Sequence, residues 1–155
     1  MTTKTKTNSD KKSPILPTNK FIYDKTVLIK PTNFFGNTYF TNYIEWQGEA
    51  RERLFLEHPD AINFLRKNPD IMIVTHSLHH RFIANTFFGD KIRIEVVSKN
   101  IYDYSFMLSF HFFNGTTNDL VGEGWQKLCF ISRSSGQPCK VPNFFLELAH
   151  ALKQK

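Results

Sequence analysis

Residues 32–57 read TNFFGNTYFTNYIEWQGEARERLFLE, a loop that runs into a helix. Pro31 stops whatever precedes it, and Gly36-Asn37 carries a turn signal. From Thr38 to Glu57 the apolar positions Tyr39, Tyr43, Trp46, Ala50 and Leu54 recur at helical spacing and form one stripe. Asn37 or Thr38 is suited to cap the start. Gly48 lies inside the helix, where glycine costs about 1 kcal/mol relative to alanine. An interior glycine there predicts close packing by a sheet that wraps the helix. His58-Pro59 closes the segment.

Outward from this helix the chain is mostly β. Upstream, Phe21 to Lys30 alternates as a strand, with Val27 and Ile29 on one face. Downstream, Asp60 to Lys67 predicts a short second helix. Ile71 to Phe88 reads as one long or two broken strands ending at the Gly89-Asp90 turn. Strands follow over Lys91–Lys99, Ser105–Phe113 and Val121–Ser132, then a Gly136-Gln137-Pro138 turn and a short helix over Asn143–Leu152. One long helix followed by an antiparallel meander predicts an α+β domain whose sheet curls around a central helix. A chain of 155 residues, 41% hydrophobic and 22% charged, suits one globular domain, here residues 21–155.

The net charge of +6 is uneven. Residues 1–20 hold Lys4, Lys6, Lys11, Lys12 and Lys20 against Asp10, which reads as a basic disordered tail. That leaves +2 for residues 21–155, so a nucleic-acid partner is not expected, although aromatic and basic residues together would suit one. The 16 Phe fill the core or line a channel for a greasy ligand. Cys129 and Cys139 form no metal-ligand or disulfide pattern. His76 and His80 would share one face of a strand and His79 the other, so no metal and no cofactor is expected. No Gly-x-Ser-x-Gly elbow is present. No secretory leader and no apolar run of ~18 residues is visible, so the expectation is a cytoplasmic protein with no membrane partner.

Several features in order carry a family resemblance. The loop and helix start, Thr32 to Tyr43, resemble those of the 4-hydroxybenzoyl-CoA thioesterase-like hot-dog family. Trp46-Gln47-Gly48-Glu49-Ala50-Arg51-Glu52 resembles more narrowly the enediyne polyketide thioesterases. Gly89-Asp90, Gly122-Glu123-Gly124 and Gly136-x-Pro138 fall in place as well. Over residues 21–148 the resemblance implies a hot-dog fold. It also implies hydrolysis of acyl thioesters, releasing a polyketide or fatty acyl chain from a phosphopantetheine arm on acyl carrier protein or CoA. A homodimer or homotetramer is implied too. The alternative is a non-catalytic acyl-binding or regulatory protein.

One departure bears on mechanism. Asn33 stands where the broad family has Asp, and a carboxamide can hydrogen-bond and orient but cannot take a proton. The resemblance assigns catalysis to Asn33, Tyr43, Arg51 and the backbone N–H of Phe40, with Gly36, Tyr39 and Trp46 against the substrate. Glu49 is the alternative base, set against a surface role pairing with Arg51, with Arg53 at i,i+4 or with a lysine. Arg51 lies 13 residues beyond Thr38, about 20 Å along a helix, too far to reach its own N-terminus. A site shared between two protomers follows.

Overall fold

The structure, a computed structural model, describes residues 19–153. Its elements are β1 (Phe21–Thr26), α1 (Thr41–Leu56), α2 (Pro59–Lys67), β2 (Ile71–Phe82), β3 (Lys91–Lys99), β4 (Ser105–Asn114), β5 (Leu120–Ser132), β6 (Pro138–Cys139) and α3 (Asn143–Ala151). The strands pair antiparallel in the order β1-β3-β4-β5-β2. β6 joins β5 at Phe130 and Ile131, just past Cys129, where β4 stops pairing. This is the hot-dog arrangement, an antiparallel sheet laid around one long helix.

Alternation builds the inner face. Ile92, Ile94 and Val96 of β3, Phe106, Leu108, Phe110 and Phe112 of β4, and Leu128 and Phe130 of β5 are all buried, two residues apart along their strands. Against them α1 lays Tyr43, Trp46, Gln47, Ala50, Leu54 and Phe55. α3 closes one end with Phe145, whose ring meets those of Phe130 at 5.2 Å and Phe55 at 5.5 Å. Each such side chain contributes about 1.5–3 kcal/mol when fully buried.

Several expectations are corrected. α1 begins at Thr41 rather than Thr38, and no side chain caps it. Thr38 is buried and bonded to Thr86 instead, while Asn37 donates to Asn85. β1 ends at Thr26: Val27 is clamped by backbone bonds to Gly89 and Asp90, and Ile29, expected on the same face, is 70% exposed. β2 ends at Phe82, because Ile83 and Ala84 both donate to the Val121 carbonyl and the chain then leaves for Thr38. A Cβ placed on Gly48 would meet nothing within 4 Å, so its neighbours do not require a glycine. The close approach is one residue earlier, where Gln47 presses on Gly124.

The expected tail lies outside the described residues except for Asn19 and Lys20. These two are held by the Ala151 carbonyl and by Glu95. Among the described residues no helix is long and apolar enough to cross a membrane.

Candidate functional site

The loop before α1 is a compact turn. The N–H of Asn33 donates to the Asn37 carbonyl, and the N–H of Gly36 returns to the Asn33 carbonyl, each at 2.9 Å. Gly36 sits at φ +82°, a conformation that glycine adopts without a Cβ penalty. The side-chain oxygen of Asn33 accepts the Phe35 N–H at 2.9 Å. Because that partner is a donor, the amide orientation is fixed, and the NH2 group is the half left available.

Asn33, Tyr39, Phe40 and Tyr43 line one cavity of about 340 Å³, closed on its far side by Phe82 to Asn85. Four of the expected residues therefore come together. The backbone N–H of Phe40 has no acceptor among the described residues and stands at the N-terminus of α1, where the helix dipole favours negative charge. Gly36 shapes the turn and does not line the cavity.

Tyr43 is 3% exposed and anchored by hydroxyl contacts. The Thr38 hydroxyl lies 3.1 Å from the Thr86 carbonyl oxygen and 2.7 Å from Thr86 Oγ1. The Tyr43 hydroxyl shares a hydrogen bond with the same Thr86 Oγ1 at 2.8 Å. Burial also raises the Tyr43 pKa, so the phenol stays neutral. It is a buried wall of the cavity, held through Thr86.

One expected contact is corrected. Trp46 is 1% exposed and packs in the core on Tyr43 rather than on a ligand. Glu49 lies away from the Asn33 cavity, where it accepts from Tyr23 at 3.1 Å and pairs with a lysine, Lys25 of β1, as the surface reading of this carboxylate expects.

Arg51 is not brought to Asn33. It lies 10 residues beyond Thr41, about 15 Å along the helix, and lines a different cavity. There its guanidinium donates to Thr75 Oγ1 at 2.7 Å and Gln126 Oε1 at 3.1 Å. Burial lowers its pKa, opposed by Glu52, and it remains a cation.

The histidines fall differently from the simple alternation. The pairing of β2 with β5 shifts between Thr75 and Ser77, which puts His76 in a bulge and breaks the two-residue count. His79 turns outward and stacks on Trp125, with centroids 6.0 Å apart. His80 turns inward under Tyr43, at 5.1 Å between rings. Gln47 Nε2 donates both to the His79 carbonyl and to His80 Nδ1, each at 3.1 Å. The carbonyl can only accept, so Nδ1 of His80 accepts too, and His80 is the neutral tautomer protonated at Nε2. Burial and the neighbouring His79 lower its pKa to about 4. This His80–Gln47 pair supports the cavity wall, and no local sequence signal marked it.

A cavity lined by Asn33 and by Phe40 at the helix N-terminus, with no lining carboxylate, suits a carbonyl that becomes an oxyanion. The sequence profile of the Thioesterase-like superfamily matches residues 27–148. The chain belongs to that superfamily. Its reaction class is thioester hydrolysis. No curated protein sequence matches the chain.

Solved structures place the thioesterase fold beyond sequence identity. A dynemicin thioesterase superposes with a TM-score of 0.81 at 21% identity, covering 88% of this chain and 99% of its own. A Staphylococcus aureus protein solved with CoA gives 0.79 at 15% identity, over 91% and 89% of the two chains. A 1,4-dihydroxy-2-naphthoyl-CoA thioesterase from Synechocystis gives 0.78 at 14% identity, over 84% and 96%.

Proposed function

We propose that this thioesterase releases a fatty or polyketide acyl chain from the phosphopantetheine arm of CoA or an acyl carrier protein, without a catalytic carboxylate. The observation that carries the reading is that one cavity is lined by Asn33, whose side-chain oxygen is taken by the Phe35 N–H, and by Phe40, whose backbone N–H has no acceptor among the described residues. Water adds to the thioester carbonyl, the two donors hold the oxyanion, and the C–S bond then breaks to give a thiol and an acid. One oxyanion donor is worth roughly 10²–10³ in rate. Asn33 Oδ1 is already occupied, so the amide acts as a donor rather than as an acceptor for water.

Arg51 completes the site from a second copy of the chain. β2 pairs only with β5 among the described residues, which leaves 12 residues of open strand edge, and Arg51 is bonded to Thr75 on that strand. An open edge of this length is a template for a two-fold partner, and pairing there carries each Arg51 toward the other protomer. Tyr43 positions the wall through Thr86.

Thiol release from a panel of acyl-CoA and acyl-carrier thioesters tests this reading. Turnover is expected for the wild type, with losses of roughly 10²-fold in Asn33→Ala and Arg51→Ala. Acyl binding without any thiol release would replace the hydrolase with an acyl-binding protein.

A further inference from the structure

A larger groove than the Asn33 cavity is lined by Arg51, the residue that the proposed two-fold pairing carries toward the other copy. About 700 Å³ opens between α1, α2 and the start of β2, floored by Phe55, Leu65 and Ile71. Its rim carries the guanidiniums of Arg51, Arg66 and Arg133 against one carboxylate, Glu52. Arg51 has a side chain only 21% exposed, and its hydrogen-bond partners, Thr75 and Gln126, are neutral. Glu52 is 3.8 Å away and itself 67% exposed, a weak counter-ion. Arg66 and Arg133 make no ion pair among the described residues. The nearby Asp70 carboxylate, held ionised by the Ser132 hydroxyl and the Ser134 N–H at 2.7 Å each, offsets part of the Arg133 charge through space, which leaves three guanidiniums against two carboxylates. An apolar floor beneath surplus positive charge matches an amphiphile with an anionic head.

We infer that this groove binds the free carboxylic acid that hydrolysis releases, and holds it more tightly than the thioester. The inference rests on the proposed hydrolysis for the identity of the acid. Hydrolysis breaks the C–S bond and joins the water oxygen to the acyl carbon; the thiol keeps one proton and the acid loses the other at neutral pH. A neutral acyl group thereby becomes a carboxylate, which gains more from guanidinium donors than a neutral carbonyl does, through charge and a bidentate geometry. The apolar floor supplies affinity for the chain, and the rim reads its charge. The consequence is inhibition by product, relieved by neutralising the rim.

Calorimetric titration of the full-length protein with octanoate, with its neutral analogue octanamide and with adenosine 3′,5′-bisphosphate tests this, using wild type and Arg66→Gln/Arg133→Gln. Octanoate is expected to bind at least about tenfold more tightly than octanamide, and the double variant to lose roughly tenfold for octanoate alone. Neither residue is in the proposed catalytic set, so the variant keeps its kcat while octanoate inhibits it less. Equal binding of octanoate and octanamide, or an octanoate affinity untouched by the double variant, overturns the inference. So does charge-dependent binding confined to the bisphosphate, which would make the groove a nucleotide site. Thiol release measured on the same samples separates the two proposals. Turnover with charge-blind binding removes only the groove; charge-selective binding without turnover removes only the hydrolase.

Discussion

The side-chain oxygen of Asn33 accepts the backbone N–H of Phe35 at 2.9 Å, and this bond leaves the NH2 half of the amide as its available hydrogen-bonding group. A carboxylate at the same position could make the same turn bond, but its second oxygen would accept where the amide donates. The loop geometry therefore tolerates either residue, and the chemistry does not.

Asn33→Asp is expected to fold normally and to lose roughly 10²-fold in kcat/KM, because a negative charge then faces the oxyanion. Steady-state thiol release across pH 5–9 checks this. An active Asp variant that also acquired a carboxylate limb in its pH profile would show that the amide had been standing in for a base.

Mixing two inactive variants tests the shared site. Asn33→Ala and Arg51→Ala subunits, unfolded together and refolded, are expected to recover about a quarter of the wild-type sites. Half the dimers are then mixed, and one of their two sites carries both native residues. No recovery despite a demonstrated mixed dimer would mean that Arg51 acts within its own chain or not at all.

The two glycines near Gln47 should respond in opposite directions. Gly124→Ala drives a Cβ into Gln47 Nε2 and the His79 carbonyl, so a loss of about 1–3 kcal/mol is expected. Gly48→Ala meets nothing within 4 Å in the middle of α1 and should gain about 1 kcal/mol. Thermal melts of both variants at one pH decide it.

Acid should weaken the fold through His80. Its pKa is lowered from 6.5 to about 4 in the folded protein, so between those values the unfolded chain binds more protons. Stability contributed by neutral His80 is complete above pH ~6.5 and declines as pH falls toward about 4. His58 and His111, also lowered by burial, add the same sign. The melting temperature is expected to fall over this window, and His80→Gln to flatten part of the slope. An unchanged slope would place the acid sensitivity in the other two histidines.

Much of this was legible from the chain alone. The two-residue alternation of KIRIEVVSK set β3 to the residue, and the stripe Tyr43, Trp46, Ala50 and Leu54 set the buried side of α1. The turn of Asn33 through Asn37 and its place before the helix were readable because both depend on near neighbours. Element ends were less so. Thr38 carries a good cap signal, but a partner 48 residues away holds it outside the helix.

The rest depended on contacts that no local pattern encodes. One extra residue at His76 reversed the face that alternation assigns, and so brought His80 under Tyr43. Gly124 is required by Gln47 from another element, whereas Gly48, the glycine the helix pattern singled out, has open space above it. Arg51 has the residue type the family resemblance asks for, but its bonds reach Thr75 and Gln126, 24 and 75 residues away, which puts it in a second cavity. Side-chain periodicity is a local property, so the sequence by itself determined the elements, the buried faces and the carboxylate-free loop. Which polar groups are left without partners, and at which cavity, is set by residues that meet only once the sheet has closed on the helix. Tertiary structure alone decided that.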